Sequence, residues 1–497
     1  MKFEGAGITA AHQHRFENTV ATQHRHVVGK QQRCVRVEDR AVECYKNSIH
    51  HGPTVGHGSP ARGGKEQGER DRRPGVVPAC RTAQFATAIR RHIHAPNHRH
   101  QTGLPQVGLV VLNGPSSRAR HSHRVVGVSV VVAPSPLLSV PGAVAGAVGS
   151  PDAAVAWHYG DPFGEQRAAA QRVAIVDRSH RFVLSITGAE RLTWLHTISS
   201  QHVANLGDRQ SAENLDLDLQ GRILHHFVLT ELDGTVWIDT EADRGPALLD
   251  FLTKMVFWAD AEPAAAEYAV LSLLGPRVTE LTATLGIDEL PPVYAVVPVP
   301  GGGFLRRMPW PTSDSFDLVI PRAELGSWWA KLTAAGAEPA GMWAFEALRV
   351  AAVRPRVGLD TDERTIPHEA RWIGGPAEYG AVHLDKGCYR GQETVARVHN
   401  LGKPPRHLLL LHLDGSADER PVTGDDVLAG GRAVGRLGTV IDHFEFGPIA
   451  LALIKRTVPA DTALTAGPAA AAIDPDSVPA DDAPQAGRAA VDRLRGR

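Results

Sequence analysis

The octapeptide Lys386-Gly387-Cys388-Tyr389-Arg390-Gly391-Gln392-Glu393 gathers residues whose types and spacing could do chemistry. Glycines flank the thiol, so the backbone turns there and places Cys388 on a loop. His383, Lys386 and Arg390 lie close in sequence and would favour the thiolate, the reactive form of cysteine. The competing reading of a lone cysteine is a small buried apolar group. A cysteine protease also needs a histidine base and an orienting partner in a family-specific context, which this sequence does not supply. One thiolate cannot hold an iron–sulfur cluster, which takes about four ligands. Any cluster chemistry would be transient, shared between chains or performed on another protein. The sequence has no G-x-x-x-x-G-K-[ST] loop, no G-x-G-x-x-G after a strand, no H-E-x-x-H and no G-x-S-x-G. Gly301-Gly302-Gly303 reads as a turn. His225-His226 are adjacent in a strand and point to opposite faces, so they read as hairpin histidines and not as a metal pair.

The elements that must carry this loop form a regular pattern between about residues 155 and 460. Residues 182–186 read as a strand, 188–202 as an amphipathic helix with Leu192, Leu195 and Ile198 at helical spacing. Leu215, Leu217 and Leu219 alternate with acidic or polar residues, the mark of a half-buried strand. Gln220-Gly221 turns the chain into a strand over 223–230, and Asp233-Gly234 is a hairpin signal before 236–240. A helix follows from Pro246. The rhythm repeats as a strand over 268–274, a helix over 276–285, a strand over 316–320, and helices over 322–335 and 342–353. Helices mixed with hairpins indicate an α+β fold and argue against a doubly wound parallel sheet. From His407 to Lys455 the pattern is all-β, a small separate domain.

The 497 residues are ordinary globular material on average, 43% hydrophobic and 22% charged, enough for two to four domains. The net charge of −1 hides a division. Residues 1–124 hold 20 Lys+Arg against 8 Asp+Glu, 13 of the 25 histidines, three of the four cysteines and only three leucines. The remainder holds 33 Lys+Arg against 46 Asp+Glu. The leader is too poor in apolar residues to offset its ordering entropy. Residues 1–150 are therefore expected to be disordered and a non-native N-terminal extension. Neither a basic nucleic-acid arm nor a metal site using His92, His94, His98 and His100 fits its dispersed pattern. Arg118, Arg120 and Arg124 precede an apolar run over 125–133 that mimics a signal peptide. That run is internal, broken by Pro134 and Pro136, and too short to span a bilayer. The expected divisions are 151–400 for the α+β part, 401–460 for a β-barrel and 461–497 for a disordered tail.

KGCYRGQE, followed by Ala396-Arg397, Gly402-Lys403 and Arg406, closely resembles the signature of the YgfZ family. These are folate-binding proteins of iron–sulfur cluster assembly or repair, related to the glycine-cleavage T-protein, an aminomethyltransferase. Ile366-Pro367-His368-Glu369, the segment from Ala344 to Gly358 with Leu348-Arg349, and the segment from Gly447 to Arg456 are similar to other family elements. The resemblance covers about residues 155–460. It implies two ferredoxin-like or related α+β units around a central channel plus a C-terminal β-barrel, with a tetrahydrofolate-type ligand in the channel. It points to Asp317, in the segment from Trp310 to Asp317, as the carboxylate for the pterin edge, and to Arg349 and Trp310 as further folate contacts. Cys388 would act as a thiolate favoured by Lys386. Tyr389 and the glycines Gly387 and Gly391 complete the motif, and Gln392 and Glu393 would anchor the loop. Where T-proteins carry a catalytic aspartate after a G-x-x-x-D-D strand, this chain reads Gly221-Arg222-Ile223-Leu224-His225-His226. A neutral imidazole does not supply the same charge, which argues against glycine-cleavage activity while folate binding remains expected.

The leading expectation is thus a cytoplasmic, monomeric, tetrahydrofolate-dependent accessory protein that meets iron–sulfur client proteins transiently, with no membrane segment. An aminomethyltransferase or folate-dependent demethylase is the alternative. A third reading is a non-enzymatic folate-binding module associated with tRNA modification. The acidic balance after residue 124 argues against direct nucleic-acid binding.

Overall fold

A computed structural model of the protein describes residues 133–479, and the expectations for 1–132 and 480–497 lie outside them. The apolar run Tyr268–Leu274 is buried on both faces because it lies inside a six-stranded sheet. In spatial order that sheet is Val296–Val299, Gly303–Met308, Ser315–Pro321, Tyr268–Leu274, Ala174–Asp177 and Glu338–Ala340. Its pairings are antiparallel except the last, where Glu338–Ala340 runs parallel to Ala174–Asp177. Helix Leu325–Ala334 buries Trp328, Trp329 and Leu332 against it. Gly301 and Gly302, both with positive φ, make the turn of its first hairpin, as the triple glycine indicates.

The second sheet has five antiparallel strands in the order Gln210–Leu217, Ile223–Leu232, Thr235–Thr240, Phe182–Thr187 and Glu262–Ala265. Leu232 pairs with Thr235, so Asp233 and Gly234 form a two-residue loop. Both take positive φ (49° and 79°), the backbone that an Asp-Gly hairpin loop requires. Pro246 stands in the first turn of helix Gly245–Lys254, where its missing N–H costs nothing. That helix and Arg191–Ile198 lay Leu248, Leu252, Trp194 and Leu195 on the sheet. The strand Gln210–Leu217 departs from the half-buried expectation. All but its first residue are buried, and Leu219 lies outside it, 76% exposed.

Six further strands close a barrel in the order Arg406–Leu413, Gly447–Lys455, Arg432–His443, Asp426–Ala429, Leu464–Ala466 and Ala469–Ile473. The last strand returns to the first, with Leu411 opposite Ile473, so the barrel has no open edge. This corrects the expectation of a tail from residue 461. The closing strands are Ala-rich, yet Ala469, Ala471 and Ile473 are buried in alternation. The opposite end is corrected too. Leu137 is buried in the first sheet's core, and Ser135 Oγ donates to Asp177 Oδ2 at 2.5 Å, so residues 135–150 belong to the fold.

Gly391, with φ of 83°, precedes helix Gln392–Leu401 and meets the tip of the hairpin that joins the first two strands of the second sheet. A Cβ there would stand 2.6 Å from the Asp218 carbonyl oxygen and 2.8 Å from Gly221 Cα. Gly221 is in the same position, since its Cβ would lie 2.8 Å from Thr394 Cβ. Gly391→Ala is expected to destabilise the protein by about 2 kcal/mol or more, read as a shift in the urea unfolding midpoint. A variant as stable as the native protein would show that the two turns do not touch.

Candidate functional site

Residues 178–181 cross from the first sheet to the second, between strands Ala174–Asp177 and Phe182–Thr187. Asp177 fixes the crossing by accepting from the Ser179 backbone N–H and from Ser135. The crossing brings Arg178, His180 and Arg181 to a narrow, part-enclosed cavity of about 20 Å³. Trp310, Met342 and Phe345 supply its apolar wall; His226, Glu241, Glu346, Arg349 and Arg356 supply the polar one.

The charges of that wall are matched. Arg178 lies 4.1 Å above the Phe345 ring and donates to Ser272 and Asp317. Arg181 donates to Asp239 at 2.7 Å and Glu241 at 2.8 Å. Arg306 joins Asp239 to Asp317. Arg356 forks onto both oxygens of Asp152, at 2.9 and 3.1 Å, and donates to Glu241 at 2.6 Å. Burial alone would raise the Asp152 carboxyl, but Arg356 and His180 hold it well below the usual carboxylate range. A second group centres on the buried Glu213. It accepts from Tyr294 Oη, Trp310 Nε1 and Arg354 Nη2, and its other oxygen bonds His226 Nε2. Burial pushes Glu213 up, but Arg354 and His226 win and bring it to about 2.

Trp310 is the expected folate contact that the structure leaves facing the cavity, with its indole N–H fixed by Glu213. Asp317 is already engaged. It accepts from Arg178 and Ser272 on one oxygen and from Arg306 on the other, so it is a bridge between buried arginines and not a free pterin acceptor. Arg349 also reaches the cavity wall, but its guanidinium is bound to Glu346, Asp360, Thr439 Oγ1 and the Arg354 carbonyl. It ties helix Met342–Ala351 to the barrel.

The KGCYRGQE segment lies elsewhere on the second sheet, and its expected division of labour changes. Cys388 is an exposed free cysteine, while Lys386 is buried. Its Nζ donates to the carbonyls of His196, Ser199 and Gln201 at 2.5, 2.5 and 3.2 Å, capping helix Arg191–Ile198. Burial brings that ammonium down to about 8. The charge assigned to the thiolate is thus committed to a helix end. Tyr389 is a core residue beneath Lys386, and burial pushes its hydroxyl up to about 12. Arg390 donates to the Leu217 carbonyl and to Asp216, and lies 4.5 Å over Phe251. Gln392 does anchor the loop, donating to the Lys386 carbonyl. Gly387 and Glu393 are exposed.

Two carboxylates escaped the sequence reading. Asp216 lies directly opposite His225 and holds its Nδ1 at 3.0 Å, while Glu213 holds His226. Both belong to the strand read as half-buried, and their pairing with the two histidines was the available signal. Carboxylates therefore do stand beside the histidines, contributed by the neighbouring strand.

Comparisons with known proteins point in the same direction as this architecture. Residues 156–372 match the family model of the GCVT N-terminal domain. An aminomethyltransferase of Methylococcus capsulatus is 27% identical over 227 residues, 42% of this chain and 59% of the relative. A putative chloroplastic transferase of Arabidopsis thaliana is 24% identical over 278 residues, 53% of this chain and 61% of the relative. The chain thus spans about three fifths of the length of these two relatives. The crystal structure of the glycine cleavage system aminomethyltransferase T from Bartonella henselae superposes with a TM-score of 0.60 at 20% identity, over 68% of this chain and 94% of that one. The fold is T-protein-like: mixed α+β sheets and a closed six-stranded barrel. Among the described residues no helix is long and apolar enough to cross a membrane.

Lys386→Met is expected to lower stability by about 2 kcal/mol, because three helix-end carbonyls lose their donor. It should leave the pH midpoint of Cys388 alkylation unchanged, followed by peptide mass mapping. A raised midpoint would restore Lys386 as the partner of the thiolate.

Proposed function

We propose that the protein is a tetrahydrofolate-dependent one-carbon transferase of the aminomethyltransferase type. The observation that carries this reading is the T-protein-like fold, in which Trp310 and a wall of paired charges line a narrow cavity where the two sheets meet. Trp310 lines the cavity and packs edge-on against the buried Phe345, whose ring Arg178 covers. Buried His180 keeps one ring nitrogen without any partner. The open space there is only about 20 Å³, so a folate head enters only where the wall moves aside. Tetrahydrofolate, when bound, supplies a reduced nitrogen that accepts a one-carbon unit. The chain's own part is to orient the ring against Trp310, to hold water out of a wall of paired charges, and to keep Glu213 ionised beside His226. The relatives named aminomethyltransferase support this over the iron–sulfur accessory role expected from the KGCYRGQE signature.

The accessory role keeps one specific observation in its favour, the exposed thiol of Cys388 on a loop outside the cavity. It is the second reading, and it includes iron–sulfur client proteins as transient partners.

Titration of the full chain with 5-formyltetrahydrofolate, followed by tryptophan fluorescence, is expected to saturate. Trp310→Ala should weaken binding about tenfold or more. A flat titration of the native protein would remove folate from the proposal. In a strain lacking its own homologue, Cys388→Ala is expected to work as well as the native gene if the transferase reading holds. Loss of iron–sulfur enzyme activity with that variant would favour the second reading.

A further inference from the structure

An open groove of about 540 Å³ lies where the segment around Ala147 meets the barrel. Pro421 and Val422 enter its lining from the loop before strand Asp426–Ala429, and Val440 and Ile441 from strand Arg432–His443. The charges of the lining cancel, since Arg420 Nη2 stands 3.2 Å from Asp442 Oδ1. Apolar side chains lie open around it. Val422 is 61% exposed, and Val148, next to Ala147, is fully exposed. Apolar surface gathered along a groove marks a place where something docks. Strand Val144–Ala145, just before the groove segment, pairs with Ala156–His158 and with no other described strand, so one of its edges has no described partner.

The chain itself supplies a fitting occupant. The described residues begin at Ala133, and the eight before it run Val125-Val126-Gly127-Val128-Ser129-Val130-Val131-Val132, six valines and no charge. In an extended strand, Val126, Val128, Val130 and Val132 share one face. The chain also enters beside the groove. The Ser135 N–H donates to the Ala154 carbonyl at 2.7 Å. Two turns, closed by the Ala153 N–H on the Ser150 carbonyl and the Val155 N–H on the Asp152 carbonyl, lead from there back to Ser150 in the groove lining. Eight extended residues span about 26 Å, enough to follow the groove from that point. The other end of the chain suits it less, because residues 480–497 carry four arginines and three aspartates. Phe257 and Trp258, the exposed aromatic pair, suit the run less too, with acidic Asp250, Asp260 and Glu262 on the neighbouring elements.

We infer that residues 125–132 lie in this groove as an extended apolar segment, with their valine face on Val422, Val440 and Ile441 and their backbone along the free edge of Val144–Ala145. The run that mimics a signal peptide is then a cover for the barrel. A groove filled in this way is closed to a second copy of the chain. The inference is independent of what the central cavity binds.

The test uses the full chain with the exposed Val422 replaced by the photoreactive p-benzoylphenylalanine. Irradiation followed by peptide mass mapping is expected to join position 422 to a peptide containing residues 125–132. Val128→Asp with Val130→Asp, made in the same chain, should lower that yield about tenfold or more, because carboxylates resist an apolar groove. Mixing ¹⁵N-labelled with unlabelled chains separates products within one chain from those between two. Hydrogen exchange on the native chain is the second measurement, and it stands even where the photoreactive chain does not fold. Amides of residues 125–132 should exchange about tenfold or more slowly than in a free peptide of the same sequence. Exchange at the free-peptide rate overturns the inference. So does a yield indifferent to the two aspartates, or cross-linking confined to other segments. Cross-links between labelled and unlabelled chains overturn it as well and make the groove a dimer surface.

Discussion

Charges in this interior survive only in company. Arg178, Arg181, Arg306, Arg349 and Arg356 are all buried, and so are Asp152, Asp239, Asp317, Glu346 and Asp360. Removing one member of such a pair costs about 3–5 kcal/mol, because its partner stays buried and unpaired. Domains of this kind are stable by only about 5–15 kcal/mol, so the network is a condition of the fold. It is also continuous. Asp317 and Arg306 connect the first sheet to Asp239 of the second, and Arg181 carries it to Glu241. Arg356 extends it to Asp152 and Glu346. Arg349 passes it through Asp360 to Thr439 of the barrel.

The same network gives the cavity its character. Its arginines and carboxylates neutralise one another, so the cavity presents no strong field of either sign. Asp360 shows how the barrel takes part. It accepts from the Arg356 and Thr439 backbone N–H groups as well as from Arg349, at a place where the barrel strands shift register between Leu437 and Val440. The irregularity in the strand is one of the places where the barrel holds the rest of the molecule.

Periodicity carried the fold a long way. The Asp233-Gly234 hairpin, the strand Tyr268–Leu274 and the helices from Gly245 and Met342 were legible because each obeys one local rule. The closing barrel strands were not, since Ala469–Ile473 has small residues whose burial depends on pairing with Leu411, far away in sequence. The site was legible in type and not in assignment. Trp310 lines the cavity and Cys388 is exposed on its loop, as positions and not as roles. Asp317, Arg349 and Lys386 were singled out as free charges, and each is bound to partners that only the tertiary structure supplies. Asp216 and Glu213 were hidden for the converse reason. Acidic residues alternating with leucine read as a wet strand face, and nothing local reveals that His225 and His226 cover them from the next strand.

The meeting of Gly221 and Gly391 has a consequence for how such chains change over time. Backbone packs on backbone there, so neither turn can acquire a side chain while the other keeps its shape. The hairpin beneath the two histidines and the loop that presents the thiol are therefore inherited as one piece, although 170 positions separate them. A lineage that discarded the thiol would still be held to the second glycine. A signature written around Cys388 thus records the fit of two turns as much as any chemistry of sulfur.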